Sequence, residues 1–450
     1  MFKKATPLWR MSTFYRCRFW PCLTSLVLAI VLLQVLHMAL LSRLEEKEAR
    51  LKDTKSVGRQ LQGRVYKTVV GEMEERVRNS YRFDKSGTYH VLDNFLTSEH
   101  VIPGRHEYDV SIVTQCSTGN LHHLVDLSQR WNGPVSVAVF TYDDDFIQTV
   151  ASLLHFHFCN DAIYRHVSFH LVYPISRAPK HLEGLSRLKL ACSSDAGTTD
   201  FPLPHGKSPN YVNTDLAYPN NLLRNLAINY AQTPYILMID IDMVPSENLR
   251  TQFQNFMSLN HPSIPPNRLS ANISGKQQHS SGPVQPLAAY VVPAFELQDS
   301  TPVPRTKTEL LDLWLKGRVR PFYWEACQKC QRPTNYDRWR ALGKGGALRI
   351  GYSVSREDPW EPFYIARTSV PLYDERFKQY GYNRISQICE MFVAGFSFHV
   401  LDNAFLVHKG FKVQGEFHTS KDAENDQNRL LYRKFKDELK VKYPEVTRRC

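Results

Sequence analysis

Asp240 and Asp242 close an apolar run, YILMIDIDMVPSE, that extends from Tyr235 to Glu247. A carboxylate at the end of a buried strand is costly unless it is paired or holds a metal. In an extended segment, residues i and i+2 share a face. Both carboxylates can therefore converge on one ion while Ile241 turns into apolar surroundings. Hard divalent cations such as Mg²⁺ or Mn²⁺ take oxygen ligands and often share them with phosphates. A cation held in this way would neutralise a diphosphate leaving group and assist its departure as a Lewis acid. The pattern is short, and Asp143 and Asp145 in TYDDDF repeat it. Those two are better read as acids opening a helix, where they complement its dipole.

A third ligand has to come from elsewhere in the chain. FLVHKGFK places His408 after an apolar strand, followed by Lys409, Gly410 and Lys412. Imidazole suits Mn²⁺, glycine lets backbone approach a phosphate, and Lys412 can pair with one. The local sequence also allows a purely structural histidine, since the chain holds 17 of them.

Elements must position these groups. From Tyr108 onward the strand-like YDVSIVTQ, GPVSVAVFT and VSFHLVYP alternate with the helix-like NLHHLVDLSQRW and DDDFIQTVASLLHF. YPNNLLRNLAINYA then sets Leu222, Leu223, Leu226 and Ala227 at helical spacing and leads into the aspartate strand. LAAYVVPAFEL reads as one further strand. This order predicts an α/β fold with a mostly parallel sheet flanked by helices. Ligands in such sheets sit beyond the carboxyl ends of strands, where Asp240 and Asp242 fall. Past Glu309, RPFYWEACQKCQRPTNYDRW and REDPWEPFYIA are rich in aromatics, proline and charge and read as ordered loops of a binding face.

The N-terminus bears on the compartment. Phe19–Leu41 carries no Asp, Glu, Lys or Arg, and Lys3, Lys4, Arg10, Arg16 and Arg18 precede it. About 20 apolar residues span a bilayer core, and the basic flank stays cytosolic. A cleaved signal peptide would have a shorter apolar region and a small-residue cleavage site. The expected layout is a cytoplasmic tail over 1–18, a transmembrane signal anchor over 19–41, a luminal stem over 42–100 and a catalytic domain over 101–450. The sequon at Asn272 fits a luminal location as a glycosylation site, within a Ser-, Asn- and Pro-rich insertion.

Seven of the nine cysteines fall in the luminal part, which favours disulfides and leaves an odd one over. Cys327-x-x-Cys330 has no second such pair and reads as disulfide chemistry in preference to zinc. The net charge of +12 leaves room for an anionic ligand. No zinc-finger spacing, RNA-binding aromatic motif or dense basic helix points to nucleic acid.

Longer strings carry more information than the aspartates alone. YPNNLLRNLA, DIDMVPSE, VVPAFE, RPFYW, CQRPTNYDRW, DPWEPFY, DERFKQYGYNRISQ and LVHKGFK together resemble the Golgi β-1,4-glucuronyltransferases of dystroglycan glycosylation. They are also similar to the glucuronyltransferase domain of the LARGE-type xylosyl/glucuronyltransferases. The segment around Asn272 is longer here and TNYDRW lacks a sequon the family can carry, but neither departure touches the motifs above. The resemblance implies a GT-A nucleotide-diphospho-sugar transferase fold, with Asp240, Asp242 and His408 on Mn²⁺. It implies UDP-glucuronic acid as donor and a terminal β-xylose as acceptor. The product would be the β-1,4-linked GlcA-Xyl primer on the O-mannosyl glycan of α-dystroglycan, for extension by a LARGE-type enzyme that is also a candidate partner. It further implies a single-pass type II protein of the Golgi membrane.

An α-linked donor and β-linked product mean inversion, which needs a base on the acceptor hydroxyl. Asp374, Glu375 and Glu390 are the candidates, with pairing to Arg376 or Arg384 as the alternative role. Arg224, Arg384 or Lys412 would hold the donor carboxylate, with Asn221 beside Arg224 in the donor-binding set. Trp360 and Tyr364, with Phe363 between core and site, are expected to stack on acceptor sugars. Two other functions fit the same strings: β-1,3-N-acetylglucosaminyl transfer to poly-N-acetyllactosamine, and a non-catalytic Golgi partner subunit.

Overall fold

Runs of β-branched and aromatic residues without polar alternation form strands covered on both faces. VSVAVF and VSFHLVYP are buried at every position for this reason. The computed structural model describes residues 66–79, 82–99, 107–180, 182–188, 192, 216–260, 287–413 and 420–450, with some residues between 28 and 41. Its main sheet has nine strands in the order β1 (Tyr89–Leu96), β4 (Val167–Pro174), β3 (Val135–Phe140), β2 (Val110–Ser117), β5 (Tyr235–Met238), β11 (Tyr364–Arg367), β7 (Ala288–Val291), β12 (Ser397–Asp402) and β10 (Arg349–Val354). A smaller sheet orders β6 (Met243–Pro245), β13 (Leu406–Lys409), β8 (Ala294–Leu297) and β9 (Val319–Pro321).

The main sheet is mixed, not mostly parallel. β4, β3, β2 and β5 run parallel, as do β7 and β12. β1, β11 and β10 run against their neighbours. The sequence reads as loop at β11, because its four residues follow the Pro- and Trp-rich DPWEPF and are too few to show a period. It lies in mid-sheet, with Tyr364, Ile365 and Ala366 buried. β1 likewise adds an edge strand from within the stretch assigned to the stem.

The chain passes from the main sheet to the smaller one in three places. Pro293 has no N–H for a ladder and splits LAAYVVPAFEL into β7 and β8, one in each sheet. β5 and β6 are divided by the aspartate turn, and β12 and β13 by 403–405. The helix Asn220–Asn229 packs on β2 and β3 through Leu222, Leu223, Leu226 and Ala227, as their spacing predicts. These side chains share one core with Phe140, Met238, Phe295, Trp339, Trp360 and Tyr364. The C-terminal helix Lys421–Lys442 packs on the helix Asn383–Val393 through Ile385, Tyr432 and Phe435, and Cys389–Cys450 ties down the tail. Among the described residues Cys159–Cys192 and Cys327–Cys330 are the other disulfides, and Cys116 is free and buried.

Met1–Val69 separates as a unit of its own. Its described residues between Leu28 and Leu41 are helical and exposed. Among the described residues no helix is long and apolar enough to cross a membrane. Most of the expected 19–41 anchor, much of the stem and Asn272 lie outside the described residues.

Candidate active site

β5 is buried between β2 and β11, with Met238 opposite Val113 on one side and Tyr364 on the other. The Ile239 N–H still donates to the Val113 carbonyl at 3.3 Å, and the chain then turns. The Met243 N–H closes that turn on the Asp240 carbonyl at 3.1 Å. The aspartates therefore sit in a tight turn, not on the extended segment expected. Ile239 and Ile241 are buried and anchor it, while each carboxylate stays about one-third exposed at 31%.

Each carboxylate has its own partners. Asp240 pairs with Arg384, and Arg224 Nη2 lies 3.5 Å from its other oxygen. Burial pushes the Asp240 carboxyl up, but the two guanidinium charges outweigh that and hold it below the usual carboxylate range. Asp242 Oδ2 lies 3.1 Å from His408 Nε2 and 3.8 Å from Lys412 Nζ. Its carboxyl too is pushed up by burial and held low overall, first by the His408 hydrogen bond and charge and then by Lys412 and His123.

Sheet register delivers His408 to this place. β13 runs antiparallel to β6 and sets His408 opposite Met243, next to Asp242 in sequence. His408 Nδ1–H donates to the Gly410 carbonyl at 2.8 Å, since a carbonyl can only accept. Gly410 has φ +89°, and a Cβ there would come within 3.3 Å of Asp299. With Nδ1 tied back, Nε2 is the nitrogen left for a metal.

The donor set of two carboxylates and an imidazole fits a hard divalent cation. Asp242 and His408 already face each other, whereas Asp240 faces the arginines. Among the described residues no three His, Cys, Asp or Glu side chains converge tightly enough to form a complete cage. His123, at the start of the helix His123–Trp131, is near this pair electrostatically; burial pushes its pKa down to about 4.

Arg224 and Arg384 are buried at 5% and 7% exposure. Arg224 is fixed by Asn221 Oδ1 at 3.1 Å and lies over the Tyr373 ring; Arg384 lies 4.2 Å over Phe363. The Nε–H of each is buried with no hydrogen-bond partner. An unmet buried donor costs about 1–3 kcal/mol. Both arginines and both aspartates line a cleft of about 630 Å³ with Tyr323, Lys329, Cys330, Glu361, Tyr380, Tyr382, Lys421, Asp422 and Glu424.

A cleft lined by the carboxylate turn and two arginines, with an imidazole against Asp242, suits a charged nucleotide donor. The family described as glycosyl-transferase for dystroglycan matches residues 109–444. The chain belongs to that family. A β-1,4-glucuronyltransferase 1 from Danio rerio is 38% identical, covering 97% of this chain and 99% of that protein. Its Homo sapiens counterpart is 42% identical over 82% of each chain. Homo sapiens xylosyl- and glucuronyltransferase LARGE1 is 26% identical over 75% of this chain and 35% of its own length. Among solved structures, S. aureus TarS 1-349 in complex with UDP-GlcNAc superposes with TM-score 0.33 at 10% identity, covering 76% of this chain and 68% of that one. The protein is a glycosyltransferase.

Within this glycosyltransferase, Asp240, Asp242, His408, Arg224, Arg384 and Lys412 come together as the sequence predicts. Other expected site residues do not. Asn221 is fully buried and structural, holding Arg224 and donating to the Asp374 carbonyl at 2.8 Å. Trp360 and Tyr364 are core residues at 0% and 1% exposure and offer no face to a sugar. Their polar atoms bond inward, Trp360 Nε1 to Thr334 Oγ1 at 3.1 Å and Tyr364 Oη to Gln387 Oε1 at 2.7 Å. Asp374 and Glu390 line a separate cavity with Glu375. There Asp374 accepts from Arg376, while Lys442 and Tyr443 hold Glu390 at 2.6 and 3.1 Å. Glu361, Tyr323, Tyr380, Tyr382 and Lys329 line the cleft without any sequence pattern that singles them out. Glu361 lies within DPWEPFY, where aromatic residues surround it and are the more conspicuous feature.

Proposed function

We propose that this glycosyltransferase has the GT-A fold and transfers glucuronic acid from UDP-glucuronic acid to a terminal β-xylose with inversion. The product is the β-1,4-linked GlcA-Xyl primer on the O-mannosyl glycan of α-dystroglycan, which a LARGE-type enzyme then extends. The names of the relatives at 38–42% identity support this choice of donor. The observation that carries it is the pair of arginines lining the cleft beside the aspartate turn. One guanidinium can balance Asp240 while the other meets a carboxylate, which a neutral donor sugar lacks.

Asp240, Asp242 and His408 would hold Mn²⁺, which when bound neutralises charge developing on the departing diphosphate. Lys412 adds positive charge beside Asp242. Tyr323, Tyr380 and Tyr382 offer aromatic faces along the cleft for the acceptor sugar. The charge-free stretch Phe19–Leu41 supports a type II anchor in the Golgi membrane, with Asn272 on the luminal side.

The test is a donor panel on the full chain in detergent, with a β-xyloside and a lactosamine acceptor. Transfer from UDP-glucuronic acid to the xyloside is expected. Transfer from UDP-N-acetylglucosamine to lactosamine alone would replace this reading. Asp240→Asn or Asp242→Asn variants that still support dystroglycan modification would favour a non-catalytic subunit.

A further inference from the structure

We propose that Glu361 is the general base of the transfer, removing the proton from the attacking acceptor hydroxyl. The inference rests on the inverting reaction proposed above. In such a displacement the acceptor oxygen forms a bond to the anomeric carbon of the donor. The bond from that carbon to the diphosphate oxygen breaks, and its electron pair leaves on UDP. The hydroxyl proton goes to a Glu361 carboxylate oxygen and is later released to water.

The cleft narrows the choice of base. Asp240 is engaged by two arginines and Asp242 by His408 and Lys412. Glu424 accepts the Tyr380 N–H at 3.1 Å, and Asp422 is exposed in the first turn of the helix Lys421–Lys442. Glu375 accepts from Asn225 at 2.9 Å, and with Asp374 and Glu390 it faces the other cavity. Glu361 lines the cleft and is partly buried. Among the described residues no side-chain hydrogen bond or ion pair occupies its carboxylate, so it can accept a proton. Burial pushes its carboxyl above the usual range, against the pull of Arg384 and Arg224. A base titrating nearer neutrality is better matched to proton transfer.

Its backbone is fixed from both sides. The Glu361 N–H donates to the Cys330 carbonyl at 2.9 Å, and Gln331 Nε2 donates to the Glu361 carbonyl at 2.9 Å. Both partners belong to the short helix Gln328–Gln331, which the Cys327–Cys330 disulfide closes. Trp360, fully buried, anchors the preceding residue, and Phe363 two residues on carries Arg384. A catalytic carboxylate needs this kind of rigid support.

The test compares Glu361→Gln and Glu361→Asp with wild type in the full chain, using UDP-glucuronic acid and a β-xyloside. Glu361→Gln is expected to lower kcat by at least about a hundredfold, with unchanged donor affinity by calorimetry and an unchanged melting temperature. Its residual rate should lose the acid limb of the pH profile, and Glu361→Asp should recover part of the rate. A wild-type rate in Glu361→Gln overturns the proposal, as does weakened donor binding with kcat intact. If wild type uses a different donor, the functional reading fails, and the same variants assayed with that donor still decide the role of Glu361.

Discussion

His408 Nε2 lies 3.1 Å from Asp242 Oδ2, although the two residues are 166 positions apart in the chain. The contact follows from pairing of β13 with β6 and from the Nδ1–H bond to the Gly410 carbonyl. In a neutral imidazole so tied, Nε2 is an acceptor, and it faces a carboxylate that is also an acceptor. A proton or a cation between them removes the repulsion.

The first prediction concerns that cation. His408→Ala and Asp242→Asn should each weaken Mn²⁺ binding by at least about tenfold, the scale on which even supporting residues affect metal sites. Electron paramagnetic resonance of free Mn²⁺ during a titration in the presence of UDP reads this directly. Chelation with EDTA should stop transfer, and Mn²⁺ should restore it in wild type but poorly in the variants. Full Mn²⁺ affinity in both variants would exclude this pair as ligands.

Arg384→Lys tests recognition of the donor carboxylate. Lysine keeps the charge but lacks the planar fork and the stacking on Phe363. A lost hydrogen bond to a charged group is worth about 1.5–3 kcal/mol, or roughly ten- to hundredfold in KM. KM for UDP-glucuronic acid should rise by that factor, and preference over UDP-glucose should shrink. Equal loss for both donors would place Arg384 against the diphosphate or Asp240 alone.

These expectations show what the sequence carried. Asp240 and Asp242 stand out by short-range pattern, whereas His408 is marked only by the resemblance of longer strings such as LVHKGFK, since its local sequence also fits a structural histidine. Arg224 and Arg384 are named by the sequence as donor-side cations, but their pairing with Asp240 is not legible there. Arg384 reaches Asp240 only because the helix Asn383–Val393 packs over the cleft. Trp360 and Tyr364 looked like a sugar platform because aromatic residues serve cores and sites equally, and burial alone separates the two uses. Asp374 and Glu390 had the right chemistry, but Arg376 and Lys442 already hold them. Glu361 was hidden because nothing in one sequence shows that a carboxylate lacks a partner.

Stability should be most sensitive at Lys307 and Asp402. Lys307 Nζ meets Asp402 Oδ1 at 2.7 Å with both side chains only 1% exposed, and Trp339 O accepts from it at 2.9 Å. Removing Asp402 leaves the Lys307 charge buried and unpaired, whereas Asp402 itself also pairs with Arg349 at 3.0 Å. Asp402→Ala should cost about 3–5 kcal/mol in denaturant unfolding. Lys307→Met with Asp402→Leu together should cost less than Asp402→Ala alone.

Acid stability should depend on His170. Asn94 N–H donates to its Nδ1 at 2.8 Å, so Nε2 carries the proton and donates to Ser136 Oγ at 2.9 Å. Burial pushes its pKa down to about 3, from an unfolded value of 6.5. Between those values the unfolded chain binds the proton and the folded chain does not, so stability falls as pH drops below 6.5 and is kept above it. The slope from this group approaches about 1.4 kcal/mol per pH unit. His170→Gln should flatten the fall in unfolding free energy between about pH 6 and pH 4. An unchanged slope would assign the acid loss to other groups.

The Cys327–Cys330 disulfide should act on catalysis more than on stability. It closes a four-residue loop, for which chain entropy gives about 2 kcal/mol. A helix as short as Gln328–Gln331 does not hold itself together without such support. Its loosening would release the Cys330 carbonyl and Gln331 amide that fix Glu361. The Cys327→Ser/Cys330→Ser variant should therefore show lower kcat with donor affinity retained. A parallel loss of donor affinity would mean that the disulfide shapes the whole cleft. If kcat stays at the wild-type value, the clamp has no part in placing the base.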